Sequence, residues 1–268
     1  MNNSNFKIAF TCSWGQNSEE LLKRYSVFTP NNSCSWYNLK GIDSVNKADY
    51  IIGLDLPKLN NENLIHFRRE PDLIQKWETP MDAIFCFDYS SKDKFHAATW
   101  WLEKSYDELC NLNHTDGNEI SAIISNKHKF RVEYVTEAIK SNGSIIGYGP
   151  GCGSAYGSNK WRTEVLLRSS MSICIENSAQ ENYFTEKIVD CLLAWAMPLY
   201  WGCPNISDFF PHGSYRLIDI QDPSSIKDII EKPIQSYEID AMREARELIL
   251  NKYNIWECTQ NVINDYGG

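Results

Sequence analysis

Apolar and polar residues alternate along the first part of the chain in blocks that predict strands and helices in turn. Four short apolar runs have the length and composition of buried parallel strands: KIAFTC (7–12), DYIIGL (49–54), NLIHF (63–67) and DAIFCF (82–87). Helices are predicted between some of them, over EELLKRY (19–25) and PDLIQKW (71–77). Proline is tolerated at the first helical position, so Pro71 fits the start of the second helix.

The alternation restarts after a polar stretch, CNLNHTDGNE at 110–119, where turn formers and the lack of an apolar period predict a domain boundary. The strands expected beyond it are ISAIIS (120–125), SIIGYG (144–149), MSICI (171–175), MPLYW (197–201) and YRLIDI (215–220). The expected helices are FRVEYVTEAIK (130–140), about 185–196, 224–231 and most of the tail from 237 to 265. Two α/β halves of the Rossmann type are the simplest architecture with this order.

Composition and charge narrow the classes of function. The 268 residues carry a formal net charge of −9, with an isoelectric point near 5.1. Non-specific binding of nucleic acid relies on a surplus of Lys and Arg, so a general nucleic-acid-binding protein is not expected. An anionic ligand would have to be held by a few local cations.

The cysteines and the opening residues bear on the compartment. Nine cysteines are present without a CxxC pair or a spacing typical of zinc ligands, so reduced thiols are expected, and neither a disulfide framework nor a metal site. The opening, MNNSNFKIAFTCSW, lacks the segments of a signal peptide, and no run of about 18 apolar residues occurs. These features favour a cytoplasmic protein without a membrane span.

Residues 176–187, ENSAQENYFTEK, place amides, hydroxyls and charges between two apolar elements. Apolar residues then recur at i, i+3, i+4 and i+7 from Ile188, which predicts a buried helix face. Thr185 has the side chain of an N-cap residue, so Glu186 and Lys187 fall in the first helical turn. Unpaired backbone amides and the positive end of the helix make this position suitable for a phosphate.

The alternative is a solvated loop in which Lys187 and Asp190 form an exposed pair worth about 0.2–0.5 kcal/mol. A longer pattern favours the phosphate site. Residues 175–211, IENSAQENYFTEKIVDCLLAWAMPLYWGCPNISDFFP, resemble the donor-binding signature of the α-1,3-fucosyltransferases of glycosyltransferase family 10. That signature has F-E-N-S, a polar spacer, Y-x-T-E-K, a helix, A-x-P-x-x-x-G and a run ending in F-x-P. The chain departs from it chiefly at Ile175 and Met197.

Three further segments are similar to parts of the same family. SNKHKFRVEYVTEAI (125–139) resembles its strand, S-N, spacer, Arg and helix segment, and IIGYGPGCG (145–153) resembles its glycine-containing strand end. KIAFTCSWG (7–15) is similar to the opening strand of the bacterial members. The resemblance covers about 120–220, extends in part over 7–90, and is absent in the tail.

The resemblance implies the GT-B fold, an α/β architecture in which two Rossmann-like domains face each other across a cleft. The expected domains are an acceptor-binding domain at 1–115, a GDP-fucose-binding domain at 116–236 and a C-terminal helical segment at 237–268. By the same resemblance, Arg131 and Lys187 would neutralise the diphosphate of GDP-fucose. Asn177, Tyr183 and Glu186 would line the ribose, phosphate and fucose region.

The resemblance also implies chemistry on the acceptor side. Transfer from a β-linked donor to an α-linked product inverts the anomeric centre, so a carboxylate must take the proton of the acceptor hydroxyl. Glu70 lies between a predicted strand and the helix at Pro71, and proline restricts its backbone to extended geometry. Arg69 stands where the family often has a small residue. An ordinary acid at a helix N-terminus is the alternative for Glu70, and both Arg68 and Arg69 could be surface cations or could contact acceptor or phosphate.

The interpretation adopted is an inverting fucosyltransferase that acts on an oligosaccharide acceptor containing N-acetylglucosamine or glucose. No cofactor is expected, because the cations and the helix end replace a metal and no Asp-x-Asp sequence occurs; divalent cations are expected to stimulate modestly at most. The alternatives are the same fold with another nucleotide sugar, a catalytically inactive nucleotide-sugar- or glycan-binding protein, and a Rossmann methyltransferase. Packing roles are expected for Trp100, Trp101, Cys174, Cys191, Tyr200 and Trp201, and His128 could contact a phosphate.

Overall fold

The computed structural model describes residues 5–55, 59, 62–69, 85–87, 97–154 and 157–266. The chain divides into two compact units. The first comprises Met1–Ala98, Lys104–Asn111 and Leu250–Gly268, and the second comprises Thr99–Glu103 and Leu112–Ile249.

The helices and strands follow one another as expected for α/β units. In chain order they are β1 (Phe6–Cys12), α1 (Ser18–Ser26), β2 (Ser35–Trp36), β3 (Leu39–Gly41), β4 (Tyr50–Leu54), β5 (Leu64–Phe67), β6 (Phe85–Phe87), α2 (Tyr106–Cys110), β7 (Glu119–Ile123), α3 (Lys129–Ser141), β8 (Ile145–Tyr148), α4 (Asn159–Arg168), β9 (Ser169–Ile175), α5 (Glu186–Leu193), β10 (Met197–Trp201), β11 (Arg216–Leu217), α6 (Ile226–Ile230), α7 (Ser236–Glu247) and α8 (Ile255–Tyr266). A π-helical turn, Leu248–Lys252, follows α7 directly.

The first unit is built on a six-stranded sheet in the order β2-β3-β1-β4-β5-β6. All neighbouring strands are parallel except β2 and β3. An aromatic cluster lies beneath it, where Phe10 of β1 stacks on Tyr25 at 4.8 Å and contacts Trp256 edge-on at 5.5 Å. The Trp256 indole donates a hydrogen bond to the Tyr25 carbonyl at 2.8 Å, so α8 is held to α1 by both packing and a buried polar contact.

The second unit is built on a five-stranded, wholly parallel sheet in the order β11-β10-β9-β7-β8. Numbered within the unit, this is the doubly wound order 2-1-3-4-5, in which the direction of winding reverses between the first and third strands, β7 and β9. Ligands of such sheets bind outside the carboxyl ends of the strands at that reversal. Helices α3 and α5 follow β7 and β9, so their N-termini flank this point.

Helix α5 is fixed at both ends. Its apolar face, including Ile188 and Leu192, is fully buried. At its C-terminus Arg246 of α7 donates hydrogen bonds to the carbonyls of Leu192 and Leu193, and its guanidinium lies 4.4 Å from the Trp195 ring. A cation at this end of a helix is favourable, because the last carbonyls have no partner within the helix.

The prediction of two Rossmann-like α/β halves is confirmed, and most expected strands and helices lie within one or two residues of their observed positions. Helix α4 was not predicted, and only Arg216–Leu217 of the expected strand at 215–220 is a strand. The helix expected at 71–77 lies outside the described residues. None of the helices in the described part of the chain is both long and apolar enough to cross a bilayer.

The tail at 237–268 differs from the single segment expected. Its first helix, α7, belongs to the second unit, because Arg246 and its neighbours pack on α5, whereas α8 belongs to the first unit through Trp256.

Candidate functional site

A cavity of about 380 Å³ opens at the winding reversal of the second unit. Residues that follow β7 and β9 form two of its sides, and α4 with the segment around residue 101 forms another. The lining residues are Trp101, Ile123, Ser125, Lys127, His128, Arg131, Gly157, Ser158, Asn159, Trp161, Arg162, Asn177, Glu186 and Lys187.

The lining of this pocket is strongly cationic. Lys127, Arg131, Arg162 and Lys187 are formal cations, and Glu186 is the one carboxylate among the described lining residues. The chain as a whole carries a net charge of −9, so positive charge is concentrated here against the overall balance. Such a pocket is suited to an anionic ligand.

The N-terminus of α5 is organised around a buried carboxylate, Glu176, which directly follows β9. Its two oxygens accept hydrogen bonds from the backbone N–H and the hydroxyl of Thr185, at 2.8 and 2.7 Å. One oxygen also lies 3.2 Å from Lys187 Nζ. Thr185 is the N-cap residue, and its hydroxyl oxygen accepts a hydrogen bond from the Lys187 N–H. Glu176 thereby fixes both the start of the helix and its first cation.

The charges at this helix start reinforce one another. Burial acts to lower the pKa of Lys187, but the neighbouring Glu176 and Glu186 outweigh it and raise the pKa. Burial acts in the opposite direction on Glu186, yet Lys187 and Arg162 hold the pKa of that carboxyl below its usual value. Lys187 and Glu186 are therefore both charged at neutral pH.

Arg131 reaches the pocket from the first turn of α3. Its side chain is buried, and Nη1 donates a hydrogen bond to the Asn177 side-chain oxygen at 2.9 Å. Asn177 follows β9 and Arg131 follows β7, so this bond joins the two sides of the winding reversal. The arginine is thus oriented at the pocket before any ligand arrives.

A third cation, Arg162 of α4, was not predicted. Its Nη1 donates to Asp190 Oδ2 at 3.1 Å, and its guanidinium carbon lies 5.6 Å from the centroid of the Trp101 ring. Asp190 is buried and pairs with Arg162, so the surface pair considered between Lys187 and Asp190 does not form. Burial raises the pKa of Asp190 to about 6, although Arg162 and the Trp101 amide act to lower it.

Four of the predicted donor residues meet at this pocket: Arg131, Asn177, Glu186 and Lys187. His128 joins them, in keeping with the phosphate contact considered for it. The described lining does not include Tyr183, whose side chain is fully buried, so its proposed contact with the donor stays a prediction. Glu70 lies outside the described residues, and its role as a base stays a prediction as well.

Residues next to Glu70 in sequence lie at the carboxyl edge of the first sheet. Arg69 forms an ion pair with Asp55 at 2.7 Å, and its backbone N–H donates to the same carboxylate at 3.1 Å. The Arg69 guanidinium carbon also lies 4.8 Å from the centroid of the Trp14 ring, which is partly exposed. Arg69 is therefore held in place after β5, next to an accessible aromatic ring.

The packing roles expected from sequence hold for most of the aromatic residues and thiols. Trp100 and Tyr200 are buried, and the sulfur atoms of the buried Cys174 and Cys191 lie 3.6 Å apart between β9 and α5. Trp101 is the exception, because it is 40% exposed and lines the pocket. Among the residues that the structure describes, no group of three or more His, Cys, Asp or Glu is arranged to hold a metal ion.

The sequence is similar to known proteins of one family, and the similarity includes most of the residues that line the pocket. The model of the C-terminal part of glycosyltransferase family 10 (fucosyltransferase) matches residues 116–257. A putative fucosyltransferase-like protein of Arabidopsis thaliana is 30% identical over 145 residues, which are 53% of this chain and 28% of that protein. An alpha-(1,3)-fucosyltransferase of Helicobacter pylori is 32% identical over 73 residues, which are 27% of this chain and 15% of that protein. The chain thus spans less than a third of the length of either curated relative.

A crystal structure of an α1,3-fucosyltransferase with GDP superimposes with a TM-score of 0.50 at 16% identity, covering 92% of this chain and 82% of that one. At this identity the likeness shows the fold. The family model, by contrast, spans more than half of the chain and includes every lining residue of the pocket except Trp101. The chain therefore belongs to glycosyltransferase family 10, the fucosyltransferases.

Proposed function

We propose that this protein transfers L-fucose from GDP-β-L-fucose to a hydroxyl of a glycan that contains N-acetylglucosamine or glucose, with inversion and formation of an α-1,3 linkage. The observation that carries the proposal is that Arg131, from the first turn of α3, and Lys187, at the N-terminus of α5, line the same pocket. Two oriented cations and a set of helix-end amides suit a nucleoside diphosphate. The names of the relatives support the donor and the linkage, because they include an alpha-(1,3)-fucosyltransferase and one such enzyme with GDP.

In the proposed reaction, the bond between fucose C1 and the β-phosphate oxygen breaks, and GDP leaves with the electron pair. The acceptor oxygen forms the new bond to C1 from the opposite face. Its proton passes to a carboxylate, for which Glu70 is the candidate by resemblance. Negative charge develops on the departing diphosphate, where Arg131 supplies planar hydrogen bonds and Lys187 a compact charge.

The test is a donor and acceptor screen by mass spectrometry. The purified protein would be incubated with GDP-fucose, GDP-mannose or UDP-sugars, together with acceptors that end in N-acetylglucosamine or glucose. Among these donors, we expect only GDP-fucose to give a product. That product should be roughly 146 mass units heavier than the acceptor, the mass of one fucosyl residue, because GDP is released. Product formed from another nucleotide sugar would show that the donor is not GDP-fucose. Binding of GDP-fucose without product would indicate an inactive binding protein.

A further inference from the structure

Arg162 has an orientation fixed by two partners that are themselves joined. Asp190 Oδ2 accepts a hydrogen bond from Arg162 Nη1 at 3.1 Å, and Asp190 Oδ1 accepts one from the backbone N–H of Trp101 at 2.8 Å. The Trp101 ring in turn lies 5.6 Å from the Arg162 guanidinium carbon. One buried carboxylate therefore sets the positions of both an arginine and an aromatic ring at the pocket.

The arginine retains hydrogen-bonding capacity toward the pocket. A guanidinium has five N–H donors, and within the described part of the chain Asp190 is the only acceptor of a hydrogen bond from the Arg162 guanidinium. Asp190 lies deep in the unit, whereas 21% of the Arg162 side chain is exposed. Arg162 lines the same pocket as Arg131 and Lys187, so its remaining donors lie where an anion would bind.

We propose that Arg162 is a further binding residue for the donor diphosphate, and that Asp190 and Trp101 are the positioning residues that orient it. This inference rests on the proposed function for the claim that a nucleoside diphosphate occupies the pocket. A phosphate is favoured over the base because a planar guanidinium can give two parallel hydrogen bonds to phosphate oxygens. The other three cations of the lining already define a region of positive charge for that group.

The test compares R162M with the unmodified protein by calorimetry, using GDP, GMP and guanosine as ligands. We expect GDP affinity to fall by about 10- to 100-fold, the scale of a hydrogen bond between charged groups. The loss should be smaller for GMP, which lacks the β-phosphate, and absent for guanosine. Equal losses for all three ligands, or an unchanged affinity for GDP, would overturn the proposal.

Arg168 offers a matched control on the same helix. It also pairs with a carboxylate, Glu119, at 2.6 Å and lies over an aromatic ring, Tyr148, but it is not among the pocket residues. R168M removes the same charge and should leave GDP affinity unchanged; a loss equal to that of R162M would make the effect one of net charge and contradict the proposal. R162K gives a second variant, expected to bind GDP more weakly than the unmodified protein and more tightly than R162M, with thermal unfolding used to check each fold.

The positioning role of Asp190 is tested by a double-mutant cycle. D190N should change GDP affinity in the unmodified protein and have little effect in the R162M background, because its action passes through the arginine. Equal effects in both backgrounds would remove Asp190 from this role. If the unmodified protein failed to bind GDP, both the proposed function and this inference would be contradicted. If the unmodified protein, R168M and R162M all bound GDP with the same affinity, only the inference about Arg162 would be contradicted.

Discussion

At the scale of single residues, His128 is the group whose charge should respond to the donor. It lies at the start of α3, and burial together with Arg131, Lys187 and Lys127 lowers its pKa below the usual value. Each of these causes disfavours the protonated ring. In the free pocket His128 is accordingly neutral at pH 7.

Binding of GDP should therefore be accompanied by uptake of a proton at His128. The bound diphosphate offsets the neighbouring cations and raises the pKa, so protons are taken up at pH values between the lowered and the raised pKa. The number of protons follows from binding enthalpies measured in buffers of different ionisation enthalpy at about pH 6.5. H128Q is the control, because it retains the proton equilibrium of GDP itself; identical uptake by both proteins would contradict the prediction.

The proposed base and the donor cations should be separable by kinetics. Glu70→Gln should leave GDP-fucose affinity nearly unchanged and lower kcat by roughly 10²-fold or more, the usual scale for a lost general base. Arg131→Ala should weaken donor binding as well as turnover, because the proposed role of Arg131 is to contact both the bound donor and the departing GDP. Donor affinity by calorimetry beside kcat distinguishes them. Normal turnover in Glu70→Gln would move the base elsewhere.

At the scale of elements, the start of α5 depends on how closely the end of β10 approaches Glu176. The Glu176 N–H donates to the Trp201 carbonyl at 2.9 Å, and the next residue is Gly202. A Cβ atom at Gly202 would lie 2.5 Å from Glu176 Cγ and 2.7 Å from its Cβ. Glycine is thus required there for the carboxylate to reach Thr185 and Lys187.

Gly202→Ala should displace Glu176 and with it the cap and cation of α5. We expect the free energy of unfolding to fall by about 1–3 kcal/mol, as for other overpacked sites, and GDP affinity to fall with it. Urea unfolding and calorimetry measure the two effects. Gly143→Ala is the matched control, since its Cβ would meet nothing within 4 Å, and it should leave both quantities nearly unchanged. Equal behaviour of the two variants would count against the role given to Gly202.

The elements that could be predicted from sequence are those whose burial is continuous. Strand β9 and helix α5 have apolar positions that match the period of their structure, and both were located closely. Helix α4, NKWRTEVLLR, was not predicted from the sequence, because charged residues occur in every turn and only three of its ten residues are buried. Its one local signal was Ser158, whose side chain accepts a hydrogen bond from the Trp161 N–H as an N-cap.

Some of the residues that line the pocket could also be predicted from the sequence, and others could not. The signature at 175–211 and the segment at 125–139 located Arg131, Asn177, Glu186 and Lys187 because these residues follow two adjacent strands. Arg162 was missed together with α4. Trp101 was missed because it lies far from the other lining residues in sequence, and its N–H donates to Asp190, which is 89 residues away along the chain. Pairings of this kind depend on tertiary structure and have no local sequence pattern.

At the scale of the whole molecule, the pocket of the second unit gathers four cations in a chain that is acidic overall. An anionic donor approaching a protein of net charge −9 gains little from its long-range field, which is screened over about 8 Å at physiological ionic strength. Binding must therefore depend on cations in direct contact. The four cations of the lining and the N-terminus of α5 offer this contact within one pocket.

The same four cations lead us to expect that catalysis persists without a divalent metal. Stabilising a departing diphosphate requires fixed positive charge close to it, and Arg131, Arg162 and Lys187 are held in place by Asn177, Asp190 and Glu176 respectively. The chain also lacks an Asp-x-Asp sequence, the short metal–diphosphate motif of other glycosyltransferases.

Initial rates of fucose transfer should be largely retained in excess EDTA and rise only modestly with added manganese or magnesium. The control is the R168M variant, which leaves the pocket intact and should tolerate EDTA as well as the unmodified protein does. The activity of R162M should depend more strongly on added metal, because the pocket has lost one cation. Complete loss of activity in EDTA with full recovery on manganese would mean that the side-chain cations are insufficient and that a metal ion shares the charge of the leaving GDP.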